Sequence, residues 1–347
     1  AVVFELWRSK AGHPWLFTVP VWMLAAGLIG CLQHRIALLG HEASHLLLHP
    51  NRKVNDICAD LFCFFPIFAS LAQYRAKHLP HHLHPNDQNQ DPNLGSGKAE
   101  RLYAQFPLDS PKDIRRYYWK FFWPPFVLRN LLDLVSVASI GSGTAPDFSG
   151  KRRLTSILGL VYFVSLIVVV RAALYWQQPV WAVIGSFGVL CGGIALSIPR
   201  SKFYTSARSH YSVKLGAVIR IAFYAMLIGT LGQIAQSIGW DPTLAYLSLW
   251  VFPLIYLFPY LMLLRELYQH ANAGVEQLDN SRIIHADPFT RWALLGYGND
   301  FHLVHHLYPN IPHYRLKDTH TELMERSETY RAKAETTDDL AAALAKK

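Results

Sequence analysis

Charged residues are scarce in this chain: Asp, Glu, Lys and Arg make up 16% of its 347 residues, where soluble domains carry about 25%. The deficit falls in long apolar runs, and 51% of the sequence is hydrophobic. An ordinary soluble globule is excluded, and an all-α, polytopic transmembrane protein is expected. Cysteine is also sparse. Cys31, Cys58, Cys63 and Cys191 form no C-x-x-C pair and no even-spaced framework. That excludes a disulfide scaffold or an iron–sulfur cluster and leaves buried free thiols as the expectation. There is no cleavable signal pattern, internal repeat or low-complexity linker, so residues 1–347 read as one integral-membrane domain whose first apolar run is a retained span. The net charge of +9 does not call for nucleic acid, because the Lys and Arg residues flank apolar runs as they do on the cytoplasmic side of membrane proteins.

Crossing a bilayer takes roughly 17–25 mostly apolar residues. Five runs qualify, at about 15–38, 154–175, 180–198, 216–238 and 244–264. Two weaker runs, 57–71 and 118–139, are short or broken by Pro66, Pro124, Pro125, Arg129 and Asp133, and read as interfacial or re-entrant helices. The connections WQQP (176–179) and IGWDP (238–242) hold no Lys or Arg, whereas 98–153 and 199–215 are rich in them. The bias puts 39–153, 199–215 and 265–347 in the cytoplasm, the inner membrane of a bacterium being the expected setting. The segment with Arg8 and Lys10 then lies outside or along the interface.

What the sequence has in abundance is histidine, 17 residues, eleven of them in four clusters on the segments assigned to one side. The first, HEASH at 41–45, matches H-E-x-x-H, in which two histidines hold zinc and the glutamate is a general base. The others are HLPHHLHP (78–85), ELYQHAN (266–272) and HLVHHLYPNIPHYRL (302–316). H-x-x-H-H occurs twice, where random placement would give about 0.04 matches. On a helix, residues i, i+3 and i+4 share a face, so each such box can aim three imidazoles into one cavity. His41 and His45 do the same as an i, i+4 pair. Eight histidines exceed one tetrahedral zinc and suit two metals, with His270 as a ninth ligand. Imidazole alone does not name the metal. Pro80 interrupts the second box, so either a kink falls near Ala76 or a helix begins near Pro80 with His78 reaching in from the preceding turn.

The order H-x-x-x-H, H-x-x-H-H, a single histidine after the last span, then H-x-x-H-H-x-x-P resembles the membrane fatty acid desaturase/hydroxylase superfamily over about 34–320. The third box looks most like that of bacterial fatty acid desaturases. The resemblance implies a di-iron site held by His41, His45, His78, His81, His82, His270, His302, His305 and His306. It implies O2 as co-substrate and a fatty acyl chain as substrate. Abstraction of two hydrogens would give an alkene, oxygen insertion an alcohol, and loss of the carboxyl a terminal alkene. Desaturation is the leading expectation, hydroxylation or decarboxylation the alternative. The first box has three intervening residues where the stearoyl-CoA type has four, and Glu266 stands where that type has an asparagine near the metal.

Residues expected to orient the ligands are His34, Asp91, Glu266 and Asp300, with Asp300 equally readable as a surface or capping acid. His34 precedes His41 by seven residues on the same ridge, and His49, followed by Pro50, reads as a helix-end residue. His84, His313 and His320 are expected near the site without binding metal. His13, His210 and His285 fit no pattern. No H-P-G-G haem sequence of a fused cytochrome b5 is visible, so electrons are expected from a separate ferredoxin, rubredoxin or cytochrome, steered by the basic face. Two rival readings remain open. An intramembrane zinc protease would use HEASH alone, leaving six clustered histidines unused, and a non-enzymatic metal carrier would place its site nearer the bilayer midplane. In the di-iron reading Glu42, one residue from His41 and so about 100° away on a helix, loses its role as base.

Overall fold

The computed structural model describes residues 15–94, 108, 110–128, 130, 150–203 and 209–337. Helix α1 (Trp15–Ser44) tolerates Pro20 near its start and runs on past the apolar stretch through Gln33, His34, His41 and Glu42. Those polar residues are buried rather than lipid-facing, so the helix is longer than the apolar run suggests. Asn51 caps α2 (Arg52–Ala59), its side chain accepting from the amides of Lys53 and Val54. Ser70 caps α3 (Leu71–Leu83) by accepting from Gln73.

Between them the chain turns at Phe65–Ile67, with Phe68 at φ 60°. The arm Arg52–Ile67 and the arm Leu71–Leu83 meet at 95°, the geometry of a broken span or of the re-entrant loop expected for 57–71. Groups in the spans secure its tip. Arg220 donates to the Phe68 carbonyl at 3.0 Å, Trp250 to that of Pro66 at 2.9 Å and Tyr224 to that of Phe65 at 3.3 Å. The Phe65 carbonyl also takes the Phe68 amide at 3.0 Å, whereas those of Pro66 and Phe68 lie at the turn where water is excluded and need such donors.

After α4 (Pro111–Trp119) come the spans α5 (Gly150–Tyr175), α6 (Val180–Ser197), α7 (Val213–Ile238) and α8 (Thr243–His270), the last with a π-type turn at Leu247–Val251. With α1 they make five helices long and apolar enough to cross a membrane, near the five expected runs. Met23, Leu24, Val168 and Val189 are 60–78% exposed on their outer faces, a surface that only lipid covers without cost. Trp119 and Phe122, both 66% exposed, suit the interfacial reading of the run that begins at 118. Its continuation over 131–149 lies outside the described residues, as do the N-terminal basic residues and His13.

The two helices that flank the histidines run parallel. Trp22 meets Phe252 with ring centroids 5.3 Å apart, and twelve residues on His34 meets Phe258 at 6.4 Å. Gly30 makes this close: a Cβ there would lie 2.5 Å from Leu257 Cδ2, so any side chain would force α1 and α8 apart. The ends at Ser44 and His270 therefore emerge on one side of the bundle. Helices α5, α6 and α7 and the bent hairpin share one apolar cluster that includes Phe68, Leu166, Val180 and Tyr224. At the far end Arg171, in the last turns of α5, bonds Asp241 (2.5 Å) in the 238–242 connection and Thr243 (3.1 Å) at the start of α8.

Over the histidine end lie α9 (Pro288–Ala293), α10 (His302–Leu307), α11 (Leu316–Arg326) and α12 (Glu328–Lys333). They are joined by a two-residue parallel pairing of Ile283–Ile284 with Thr336–Thr337 and centred on Ile283, Leu303, Val304, Leu316 and Tyr330. The all-α expectation holds. The cysteines are free, with Cys31 and Cys63 buried, but Cys58 and Cys191 are only partly so. A thiol on a lipid-facing side behaves as a small hydrophobe and needs no further cover.

Candidate metal centre

Four elements bring the clusters together. His41 lies in the last turn of α1, with His45 in the turn just beyond it. Helix α3 carries His78, His81 and His82, and runs unbroken from Leu71 to Leu83 with Pro80 inside it. Neither a helix start at Pro80 nor a detached His78 occurs: the helix forgoes one hydrogen bond to Ala76 and keeps all three imidazoles on one element. His270 ends α8, and α10 presents His302, His305 and His306.

The nine imidazoles sort into two groups. His41, His45, His78, His82 and His305 form one, and His81, His270, His302 and His306 the other, each with its ligand atoms within 4.8 Å of one another. Each H-x-x-H-H box is shared between them. His78 and His82 serve the first group while His81 serves the second. His302 and His306 serve the second while His305 serves the first. Neighbouring helical residues diverge by about 100°, so the adjacent histidines of a box face different points.

Inside the groups the nitrogens crowd in a way that hydrogen bonds do not explain. His78 Nε2 lies 2.9 Å from His45 Nε2 and 3.0 Å from His82 Nε2, and His82 Nε2 lies 3.1 Å from His305 Nε2. In the second group His302 Nε2 lies 2.9 Å from His270 Nε2 and 3.1 Å from His306 Nε2. A neutral imidazole nitrogen offers either one proton or one lone pair, so it cannot satisfy two such contacts. A cation shared by the lone pairs does satisfy them. Both His41 nitrogens and the Nδ1 atoms of His82, His302, His305 and His306 are buried with no hydrogen-bond partner. Burial, and after it the neighbouring imidazoles, holds His302, His305 and His306 well below the usual histidine range, which keeps them as neutral ligands. The donor set fits iron, zinc, copper or nickel.

Outer contacts fix which nitrogen faces inward. His81 Nδ1 lies 2.9 Å from Asp91 Oδ2, a carboxylate that also accepts from the amides of Asn86 and Asn93, both at 2.8 Å. His270 Nδ1 lies 3.0 Å from the Asn280 carbonyl. Both acceptors have only lone pairs, so Nδ1 carries the proton and Nε2 presents its lone pair to the centre. Asn86 joins the two anchors, donating to the Asn280 carbonyl at 2.8 Å and that of Gly274 at 2.6 Å. Tyr74 stacks on His78, with ring centroids 4.9 Å apart. Glu266 is buried, with Oε1 accepting from Asn93 at 3.1 Å.

The remaining candidates lie apart. His34 directs Nδ1 to the Ala293 carbonyl, 3.2 Å away on α9. Asp300 pairs with Arg291 at 3.0 Å. His49 accepts the Asn51 amide, and His320 bonds Tyr330 at 2.8 Å. Glu42 is engaged with the segment that follows the third box. Its Oε2 takes the His313 amide at 3.0 Å and lies 3.2 Å from His313 Nδ1, and His41 and His45 join three further histidines. Neither feature suits a zinc protease.

Some supporting residues carried no sequence signal. Arg75 reaches the Ala43 and Ser44 carbonyls at 2.9 and 3.0 Å and Asp56 at 2.7 Å, closing the end of α1 between His41 and His45. His210, which fitted no pattern, gives its amide to the same Asp56 at 2.9 Å, and the neighbouring Tyr211 hydroxyl bonds Asp60. These pairs are 19 to 154 residues apart in sequence, beyond the reach of any local spacing rule.

The family model for fatty acid desaturases matches residues 14–205 and 193–336. Dihydrorhizobitoxine desaturase of Bradyrhizobium elkanii is 33% identical over 103 residues, a segment covering 29% of this chain and 28% of that protein.

Proposed function

Because the chain belongs to the fatty acid desaturase family, and is thereby a desaturase-like oxidoreductase, we propose that it is a di-iron, O2-dependent enzyme that introduces a C=C bond into a fatty acyl chain. The observation that carries this reading is the pair of histidine groups, each drawn from the same two triple boxes, with single nitrogens facing two others where one proton or one lone pair can satisfy only one. Iron there would supply, with O2 and electrons from a separate ferredoxin, rubredoxin or cytochrome, the oxidising power that no side chain has.

The protein's own part is positional. His41, His81, His270 and His305 are 1–3% exposed, so α3 and α10 close the centre against water. Asp91 and the Asn280 carbonyl hold His81 and His270 in one tautomer. In this reading the histidine end is cytoplasmic, since Arg200 and Lys202 lie in the connection on that side and Lys/Arg-rich loops stay inside. The setting is a bacterial inner membrane.

The test is expression with iron and a reductase system, followed by mass spectrometry of products from deuterated fatty acids. Loss of two hydrogens with retention of every carbon is expected. An alcohol or a shortened 1-alkene would replace desaturation by hydroxylation or decarboxylation on the same centre. The absence of any O2-dependent product with a competent reductase would overturn the reading.

A further inference from the structure

Helix α3 ends at Leu83, with Pro85 two residues on, where proline commonly follows a helix. The chain then turns through Asn86 at φ 61°, a left-handed backbone open to Gly and to few other residues, Asn and Asp among them. The loop beyond braces itself. Asp87 Oδ1 accepts the amides of Asn89 and Gln90 at 2.8 and 2.9 Å, and the Asp91 amide reaches the Asp87 carbonyl at 3.0 Å. None of these bonds uses the Asn86 side chain. It crosses instead to a segment 188 to 194 residues further along the chain, where Nδ2 donates to the Gly274 carbonyl at 2.6 Å and to that of Asn280 at 2.8 Å. Both N–H groups of the amide are spent there.

The Asn280 carbonyl also takes His270 Nδ1 at 3.0 Å, so both of its lone pairs are engaged. On the other side the Asn86 amide donates at 2.8 Å to Asp91 Oδ2, the oxygen that stands 2.9 Å from His81 Nδ1. An unbroken run of hydrogen bonds thus joins His81 to His270 through Asp91, Asn86 and the Asn280 carbonyl. The two imidazoles come from different helices, α3 and α8, and both belong to the second histidine group. The first group has no equivalent among the described residues. Glu42 Oε1 stands 3.7 Å from His41 Nδ1, beyond hydrogen-bond length, and Nδ1 of His82 and of His305 is buried without a partner.

We propose that Asn86 is a positioning residue for one metal of the two: it couples the orientation and tautomer of His81 to those of His270, so the second group meets its metal in a preset geometry that the first group lacks. This rests on the two-metal reading of the histidines and adds that the two sites are inequivalent. Imidazoles bonded to such acceptors are the more basic ligands, so the metals differ in electronic surroundings as well as in ligand number. Asparagine meets both demands of the position. Glycine permits the backbone but brings no donor, and aspartate permits it but sets carboxylate oxygens against two carbonyls.

The test reads the two metals separately and without turnover. Full-length protein in phosphatidylcholine nanodiscs, loaded with iron enriched in the Mössbauer isotope and kept anaerobic and reduced, is measured by Mössbauer spectroscopy and by chelator competition. Two ferrous signals are expected from the wild type. Asn86→Gly keeps the backbone and the loop bonds but loses both donors, so it should shift one signal, leave the other, and loosen one iron by about tenfold. Asn86→Asp should do more harm than Asn86→Gly, although it is the closer match in shape. Adding Asp91→Asn to Asn86→Gly should cost less than the two effects summed, because both cut the same run of bonds. Asn86→Gly protein with both signals and both affinities unchanged would overturn the clamp. Equal shifts in the two signals, the mark of a general packing role, would also overturn it. If Asn86→Gly does not fold, Asn86→Ser, which keeps one donor, decides by the same two readouts. An Asn86-dependent change in one signal with no desaturated product would sink the proposed function and leave the clamp standing. Product formation with both signals blind to Asn86→Gly would do the reverse.

Discussion

The carboxylate of Asp91 holds the Nδ1 proton of His81 at 2.9 Å while taking two backbone amides from its own loop. The carboxylate is thus fixed before it fixes the imidazole, and it selects the tautomer whose Nε2 faces the four-histidine group. Asp91→Asn keeps the shape but can present an amide N–H to His81, which favours the wrong tautomer. Metal affinity of that group should fall by about 10–100-fold, the usual cost of losing such a partner. Competition with a calibrated chelator reads this directly, and an unchanged affinity would remove Asp91 from the site.

Glu42 gives a prediction that separates the two metal readings of HEASH. Its carboxylate secures the segment after the third box through the His313 amide. Glu42→Gln preserves an acceptor for that N–H, so iron content and turnover should survive. Glu42→Ala leaves the half-buried His313 amide without its acceptor and should cost about 1 kcal/mol of stability, seen as a lower thermal midpoint in detergent. A protease built on this glutamate would instead die with the Gln variant.

Much of this architecture was legible from spacing alone. Apolar run length located five spans, and the i, i+3, i+4 rule explains why each box can aim inward. The partition of each box between two groups was not legible, because it depends on how α3 and α10 are rotated against each other. Nor was the end of α1: Gln33, His34, His41 and Glu42 look like an exit into water, yet all four are buried against neighbouring elements. Arg75 shows the same limit, since its acceptors Ala43 and Ser44 contribute only backbone carbonyls, which no residue pattern encodes.

That arginine closes α1 at the point where His41 and His45 must be held, and it does so beside Asp56 at 2.7 Å. Arg75→Met removes donors from two helix-terminal carbonyls and leaves Asp56 buried without its cation. Breaking one side of a buried pair costs about 3–5 kcal/mol, and the five-histidine group should loosen with it. Thermal unfolding and iron content, measured together, should both drop. Asp56→Asn alone should be milder, because the carbonyl bonds of Arg75 remain.

The sharing of the third box predicts an asymmetry between two histidines three residues apart. His302→Ala leaves three imidazoles, His81, His270 and His306, in the smaller group, whereas His305→Ala leaves four, His41, His45, His78 and His82, in the larger. Neutral nitrogen donors are each group's only hold on a metal in this reading, so the smaller group should empty first. His302→Ala should bring iron from about two per chain toward one, while His305→Ala retains more of it, since metal affinity scales with the ligands left in place. Both variants should lose turnover, because an oxidation shared between two metals does not survive the distortion of either. Iron per chain by elemental analysis and product by mass spectrometry test this together. Full activity in either variant, or identical iron loss in both, would contradict the assignment of His302 and His305 to different groups.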